Sequence, residues 1–309
     1  MNKIAGVVMV AVGSASYGIL ATIIKLANNN GLGTASLTFS QYLFGALILS
    51  ISSLFFSKKP TESIKGETRS KYPKLKLVLF GTSLGLTSSF YYLCIQYVPV
   101  SVGIILLMQT VWMGILLEFF IDRRLVNKSK LIGAAAVLIG TLLASRIFES
   151  DFNFNFIGFL YGLLAAVCFT IALYSANKVS LQLPDIIRSK YLVFGGFIAV
   201  LIFWNIQIIQ ELNSLELLKW GIVLALFGTV LPPVLFSKGV PIIGNGLTSI
   251  IATLEIPVSI LSAFFLLREQ IGISQTVGIV IILVSIILTN IGKKNNDFKH
   301  QNRVKKPIY

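Results

Sequence analysis

Glu255 is the residue whose type and position most suggest chemistry. It stands inside an apolar stretch running from 243 to 266, where an ionised carboxylate costs about 2.5–3.5 kcal/mol on membrane-insertion scales. A carboxyl group at that depth must face an aqueous cavity, pair with a cation or carry a proton. Helical spacing supports the cavity. Asn245, Thr248, Ala252, Glu255, Ser259 and Ser262 follow one another in steps of three and four, forming one polar or small stripe. Pro257 lacks a backbone donor and frees a carbonyl one turn back, offering a kink beside the acid. The competing reading is a structural carboxylate satisfied by neighbouring hydroxyls.

Other residues could complete a binding site. Ser14, Tyr17, Gly18, Ala21 and Lys25 share one face of the first apolar segment, which ends in a cation. Lys25 either joins a substrate path or snorkels to water. Ser88, Tyr91, Tyr92 and Gln96 lie in the third segment, and Gln109, Trp112 and Met113 share a face of the fourth. Aromatic rings with polar tips select ligands by shape, stacking and cation–π contact, or simply pack against neighbours and lipid. Gln41 carries four hydrogen-bonding sites and is either an interhelical fastener or a ligand. Glu118 is expected to form an ion pair near Asp122, Arg123 and Arg124 at the membrane rim. Pro232 and Pro233 must disturb the eighth segment, as a gate hinge or as a packed kink.

Several chemistries lack their residues. The one histidine, His300, lies in a basic tail, and Cys94 and Cys168 begin no CxxC pair. Neither a metal site nor a disulfide framework is implied, and no cofactor is expected. A membrane enzyme would need paired aspartates, a His/Glu metal motif or an acidic cluster at the membrane edge. A non-transporting receptor or assembly subunit would not need a polar stripe converging on a buried acid. Without a Walker sequence, ATP is not an obvious energy source, and proton coupling through Glu255 is the expected alternative.

The elements that must position these residues are membrane helices. Of 309 residues, 55% are hydrophobic and 12% charged, about half the charged fraction of a soluble domain. Gly, Pro, Asn and charge clusters divide the chain into ten apolar spans: 4–27, 36–56, 75–96, 100–121, 129–147, 156–177, 186–205, 217–237, 243–266 and 272–291. The first reads as a retained anchor rather than a cleaved signal peptide. A net charge of +14 would suit nucleic acid if it were spread over a water-facing surface. Threaded through ten spans, it instead splits into 22 basic residues on the side holding both termini and four (Lys25, Arg146, Lys219 and Arg268) on the other. That asymmetry predicts cytoplasmic termini, with anionic lipid heads as partners and no nucleic acid. Nineteen Lys against seven Arg, with abundant Ile and Asn, suggest an AT-rich bacterial genome, and the expected location is a bacterial cytoplasmic membrane.

The chain also repeats itself. Tyr97-Val98-Pro99-Val100 recurs as Gly239-Val240-Pro241-Ile242, and Leu131-Ile132-Gly133 as Thr276-Val277-Gly278. Gly6 aligns with Gly158, and Gln41-Tyr42-Leu43 with Lys190-Tyr191-Leu192. Two five-helix units result, at 4–147 and 156–291, followed by a basic tail at 292–309. Because five is odd, the second unit enters the membrane from the opposite side, so the expected fold is all-α, with ten transmembrane helices as two inverted repeats. In transporters of that plan the substrate site lies near the midplane, between the repeats. The Gly81/Gly85, Ala136/Gly140/Ala144 and Gly158/Gly162 spacings permit close helix contact, within the bundle or in a homodimer.

Leu254-Glu255-Ile256-Pro257-Val258, then Phe265-Leu266-Leu267-Arg268-Glu269-Gln270, then Ser274-Gln275-Thr276-Val277-Gly278 resemble the closing half of EamA-type transporters of the drug/metabolite transporter superfamily. The resemblance implies movement of a small organic metabolite by alternating access, without a bound cofactor, and marks Glu269 as a signature position. The first repeat departs from the pattern. Arg124 occupies the position of Glu269, Gln41 replaces a basic residue, and Trp112 stands where Pro257 does in the second copy.

Overall fold

The computed structural model describes residues 2–56, 71–98, 100–122, 128–144, 155–211, 215–268 and 271–304, which are helical apart from short connections. The first half supplies α1 (Lys3–Asn29), α2 (Thr34–Phe56), α3 (Pro73–Tyr97), α4 (Val100–Leu107), α5 (Thr110–Asp122) and α6 (Lys128–Ala144). The second supplies α7 (Phe156–Lys178), α8 (Asp185–Glu211), α9 (Leu215–Leu224), a π-helical turn (Ala225–Val230), α10 (Leu231–Ile243), α11 (Asn245–Ala252), α12 (Glu255–Leu267) and α13 (Ile273–Val304). Among the described residues, eight helical stretches are long and apolar enough to cross a membrane, and Lys130–Ala144 and Ile273–Leu288 are shorter apolar helices. The chain is thus a multi-pass membrane protein.

Side chains and a proline mark some of the helix ends. Asn155 accepts a bond from the Gly158 amide at 3.0 Å to start α7, and Pro73 opens α3, where its missing N–H costs nothing. Glu211, at the end of α8, accepts the Ser36 amide at 3.0 Å in the first turn of α2. Gln275 accepts the Gly272 amide at 3.0 Å before α13, and the signature position Glu269 lies outside the described residues.

Two pairs of short helices break in register. Leu107 ends α4 and Ala252 ends α11, 145 residues later; Thr110 and Glu255 then open α5 and α12 with the same separation. Val100 to Asn245 and Lys128 to Ile273 keep it too. Packing follows the same exchange: α1 lies on α10 as α7 lies on α3, α5 meets α11, and α6 meets α13.

The two largest apolar clusters of the core each draw helices from both halves. One joins α4–α7 with α10–α13; the other joins α2, α3, α8 and α9; α1 contributes to both. Within the second cluster α3 and α8 touch backbone to backbone. A Cβ on Gly81 would meet the Leu192 carbonyl oxygen, one on Gly195 the Val78 oxygen, and one on Gly85 the Gly196 oxygen. Gly140 and Gly278 serve the α6–α13 contact in the same way, so these small-residue faces are consumed inside the bundle. Gly81→Ala is expected to cost about 1–3 kcal/mol, because the obstructing atom is backbone and cannot turn away. Thermal unfolding in detergent reads this as a lowered midpoint; an unchanged midpoint would mean the two helices part freely.

Candidate functional site

The ninth span is interrupted two residues before its acid. The Thr253 and Leu254 amides donate to the Ile250 and Ile251 carbonyls, a tightened turn, and α12 restarts at Glu255. The continuous polar stripe expected over 245–262 is therefore split between two helices. Thr248 is fully buried on α11 and donates to the Gly244 carbonyl at 2.8 Å, so it packs rather than faces a ligand. Pro257 falls in the first turn of α12, where no partner for its nitrogen is required. It initiates the helix instead of kinking it.

Restarting there puts Glu255 at a positive helix end, where negative charge is favoured. Opposite it, α1 approaches closely because residue 18 is glycine. A Cβ on Gly18 would lie 2.6 Å from the Glu255 carbonyl oxygen and 3.0 Å from the Ser259 nitrogen. Ser259 is thus part of the α1–α12 contact. That approach brings the neighbouring Tyr17 to the acid.

Glu255 and Tyr17 line a common cavity. Leu20 and Ile24 continue the wall along α1, and Tyr42 enters from α2. Leu84, Thr87, Ser88, Tyr91 and Tyr92 form the α3 wall, while Leu107, Phe169 and Gly228 close the remaining sides. Tyr17, Tyr91 and Tyr92 share the cavity lining with Glu255. Tyr42 is committed elsewhere: its hydroxyl donates to the Leu84 carbonyl at 2.8 Å and lies 3.1 Å from Ser88 Oγ. No hydrogen bond or ion pair reaches the Glu255 side chain among the described residues. Tyr17, Leu84 and Tyr91 pack against both apolar clusters, which puts the cavity on the seam between them.

Below the cavity the seam is shut. Tyr17 meets Phe169 and Phe236 edge-on, with ring centroids 6.2 and 5.9 Å apart. Beyond these rings lies a smaller apolar void bounded by Ala176, Leu192 and Pro233. Arg188 lies next to it, 1% exposed. Its guanidinium donates to the carbonyls of Ala176 at 2.5 Å, Val179 at 3.2 Å and Ser237 at 2.8 Å, and its Nη1 lies 3.6 Å from Asp185. Two of those carbonyls belong to the end of α7. The Ser237 carbonyl is left without its helical donor because residue 241, four positions on, is proline. Arg188 thus fastens α7, α8 and α10 together.

The eighth span accommodates its two prolines through the π-turn. Leu231 donates to the Leu226 carbonyl, five residues back; the next residue, Pro232, has no N–H, and Ser16 Oγ donates to the Phe227 carbonyl instead at 2.7 Å. Pro232 and Pro233 are buried at the start of α10, immediately after this turn.

Six of the expected ligands, Lys25, Gln41, Gln109, Trp112, Thr248 and Ser259, therefore lie outside the cavity lining. Gln41 is 2% exposed, with its amide against Gly228 between α2 and the π-turn, and its Oε1 is buried without a hydrogen-bond partner among the described residues. Lys25 is exposed at the end of α1, away from the cavity lining. Trp112 is 40% exposed and donates its indole N–H to Gln109 Oε1 at 2.8 Å, so this pair lies on the outer surface. An aromatic residue spaced for a pocket is equally spaced for lipid, and only tertiary packing separates the two. Glu118 pairs with Lys130 at 2.5 Å and accepts the Gly246 amide at 3.0 Å at the start of α11, while Arg123 and Arg124 lie outside the described residues. Arg188 and Phe169 went unnoticed in the sequence. Arg188 could have been found as a basic residue beside a long apolar run, whereas nothing distinguishes Phe169 from its apolar neighbours.

Among the described residues no group of three metal-ligating side chains occurs. The sequence matches no curated protein. A crystal structure of another protein shares the fold, with a TM-score of 0.72 over 93% of this chain and 97% of that one at 12% identity. The model of the EamA-like transporter family matches twice, over residues 4–146 and 156–291, nearly the whole length of both halves. A chain matched twice by that family model, with its broken helices repeating in register, belongs to the EamA-like transporter family.

Proposed function

We propose that the protein is a secondary transporter that moves a small organic metabolite across a bacterial cytoplasmic membrane by alternating access. The observation that carries this reading is the Glu255 carboxylate, unpartnered among the described residues, in a cavity on the seam between two packed clusters. Ten membrane spans in two inverted five-helix repeats fit the in-register breaks and the excess of basic residues on one side, with both termini cytoplasmic.

In this reading the cavity is open to the outer side, and the Tyr17–Phe169–Phe236 plug and the Arg188 fastening close the inner side. Each cluster combines helices from both repeats, and glycine contacts interlock α3 with α8, so the repeats do not rock as rigid halves. The movement is instead a shift of one cluster against the other, with the broken helices α4–α5 and α11–α12 and the π-turn absorbing the change. Glu255 takes up and releases a proton as the seam opens to each side, coupling flux to the proton gradient. Lys and Arg on the cytoplasmic face hold the protein against anionic lipid.

Sealed vesicles containing the purified chain test the function. Among small metabolites whose binding raises the unfolding temperature, at least one is expected to accumulate under a pH gradient and not in protein-free vesicles. A stabilising ligand that never crosses the membrane would point to the receptor reading instead.

A further inference from the structure

We propose that the Glu255 cavity selects an organic monocation, an amine or quaternary ammonium without a carboxylate of its own. The inference rests on the cavity being the substrate site and adds its chemical class. Among the described residues Glu255 is the only formally charged one in the lining, and no basic side chain joins it there. A zwitterion would bring its carboxylate into a small apolar-walled space beside Glu255 with no cation to receive it. A monocation meets no such obstacle.

The walls suit the same class. Tyr17, Tyr91 and Tyr92 line the cavity together with the acid, and aromatic rings attract ammonium groups most strongly where water is excluded. Phe169 closes the floor, and Leu20, Ile24 and Leu107 supply apolar surface for the body of the ligand.

A matched ligand set provides the test. Phenethylamine and tetraethylammonium are cations; phenylalanine adds a carboxylate to the first, and 3-phenylpropionate keeps the carboxylate without the amine. Thermal unfolding of the full chain in detergent is followed with each compound at millimolar concentration. At least one cation is expected to raise the midpoint by about 3 °C or more in the wild type, and phenylalanine and 3-phenylpropionate to leave it unchanged. Glu255→Gln should remove the cation's effect, and Tyr91→Leu, which keeps the acid, should reduce it. Stabilisation by phenylalanine or 3-phenylpropionate equal to that by the cations overturns the proposal, as does the absence of an effect from both cations. A cation that binds in a Glu255-dependent way but does not cross vesicle membranes leaves the selectivity standing and removes the transport reading, so the two fail separately.

Discussion

Glu255→Gln is expected to weaken binding of a cationic ligand by about 30- to 1,000-fold and to abolish flux driven by a pH gradient. The substitution keeps shape and one polar oxygen but removes the only formal charge that the described residues place in the cavity lining. Loss of one member of a buried, charged contact costs about 2–4 kcal/mol, at about 1.4 kcal/mol per tenfold in affinity. Charge pairing here is strong because the walls are aromatic and aliphatic; two unit charges about 8 Å apart interact by about 2 kcal/mol at an effective dielectric constant of 20. A glutamine cannot carry a proton across the membrane, so gradient-driven accumulation should stop even at saturating ligand. Titration calorimetry reads the first effect and vesicle uptake the second. Unchanged pH-driven flux in the variant would eliminate coupling through this residue and leave facilitated diffusion or exchange.

Arg188→Ala is expected to destabilise the protein by about 3–5 kcal/mol, the range for removing one partner from a buried charged network. Three carbonyls, of Ala176, Val179 and Ser237, would lose the same donor. Ser237 has no alternative in its own helix, since Pro241 offers no N–H. In thermal unfolding the loss corresponds to a fall of about 10 °C. Arg188→Lys should recover only part of it, because an ammonium cannot reproduce the planar fork that reaches three acceptors on two helices. A shift of under about 2 °C for the alanine variant would show that α7, α8 and α10 are held by apolar packing alone.

Much of the architecture is legible in the sequence because membrane helices announce themselves. Uncharged runs of about 20 residues have one stable solution in a bilayer, and the repeats are visible in Tyr97 to Val100 against Gly239 to Ile242. Glu255, Tyr17, Tyr91 and Tyr92 could be picked out and do meet in one cavity. The fate of Gln109, Trp112, Thr248 and Lys25 could not be read, because helical spacing fixes which residues share a face but not what that face touches. The break before Glu255 was hidden for a related reason. Pro257 is a visible signal, yet a proline in a first turn and a proline in a kink look alike in sequence. The register of 145 residues between Thr110 and Glu255 carries the missing information: both positions open a helix, but Thr110 lies buried against Thr170 at 2.8 Å, so only the second repeat supplies an acid.

Counterflow tests the central claim most directly. Vesicles are loaded with unlabelled phenethylamine and diluted into labelled phenethylamine with no pH gradient across the membrane. A single site exposed alternately to the two sides predicts transient accumulation of label above the external concentration in the wild type, and none with Glu255→Gln. Equal accumulation in the variant, or simple equilibration without overshoot in the wild type, would contradict a substrate site built around Glu255 and exposed to one side at a time.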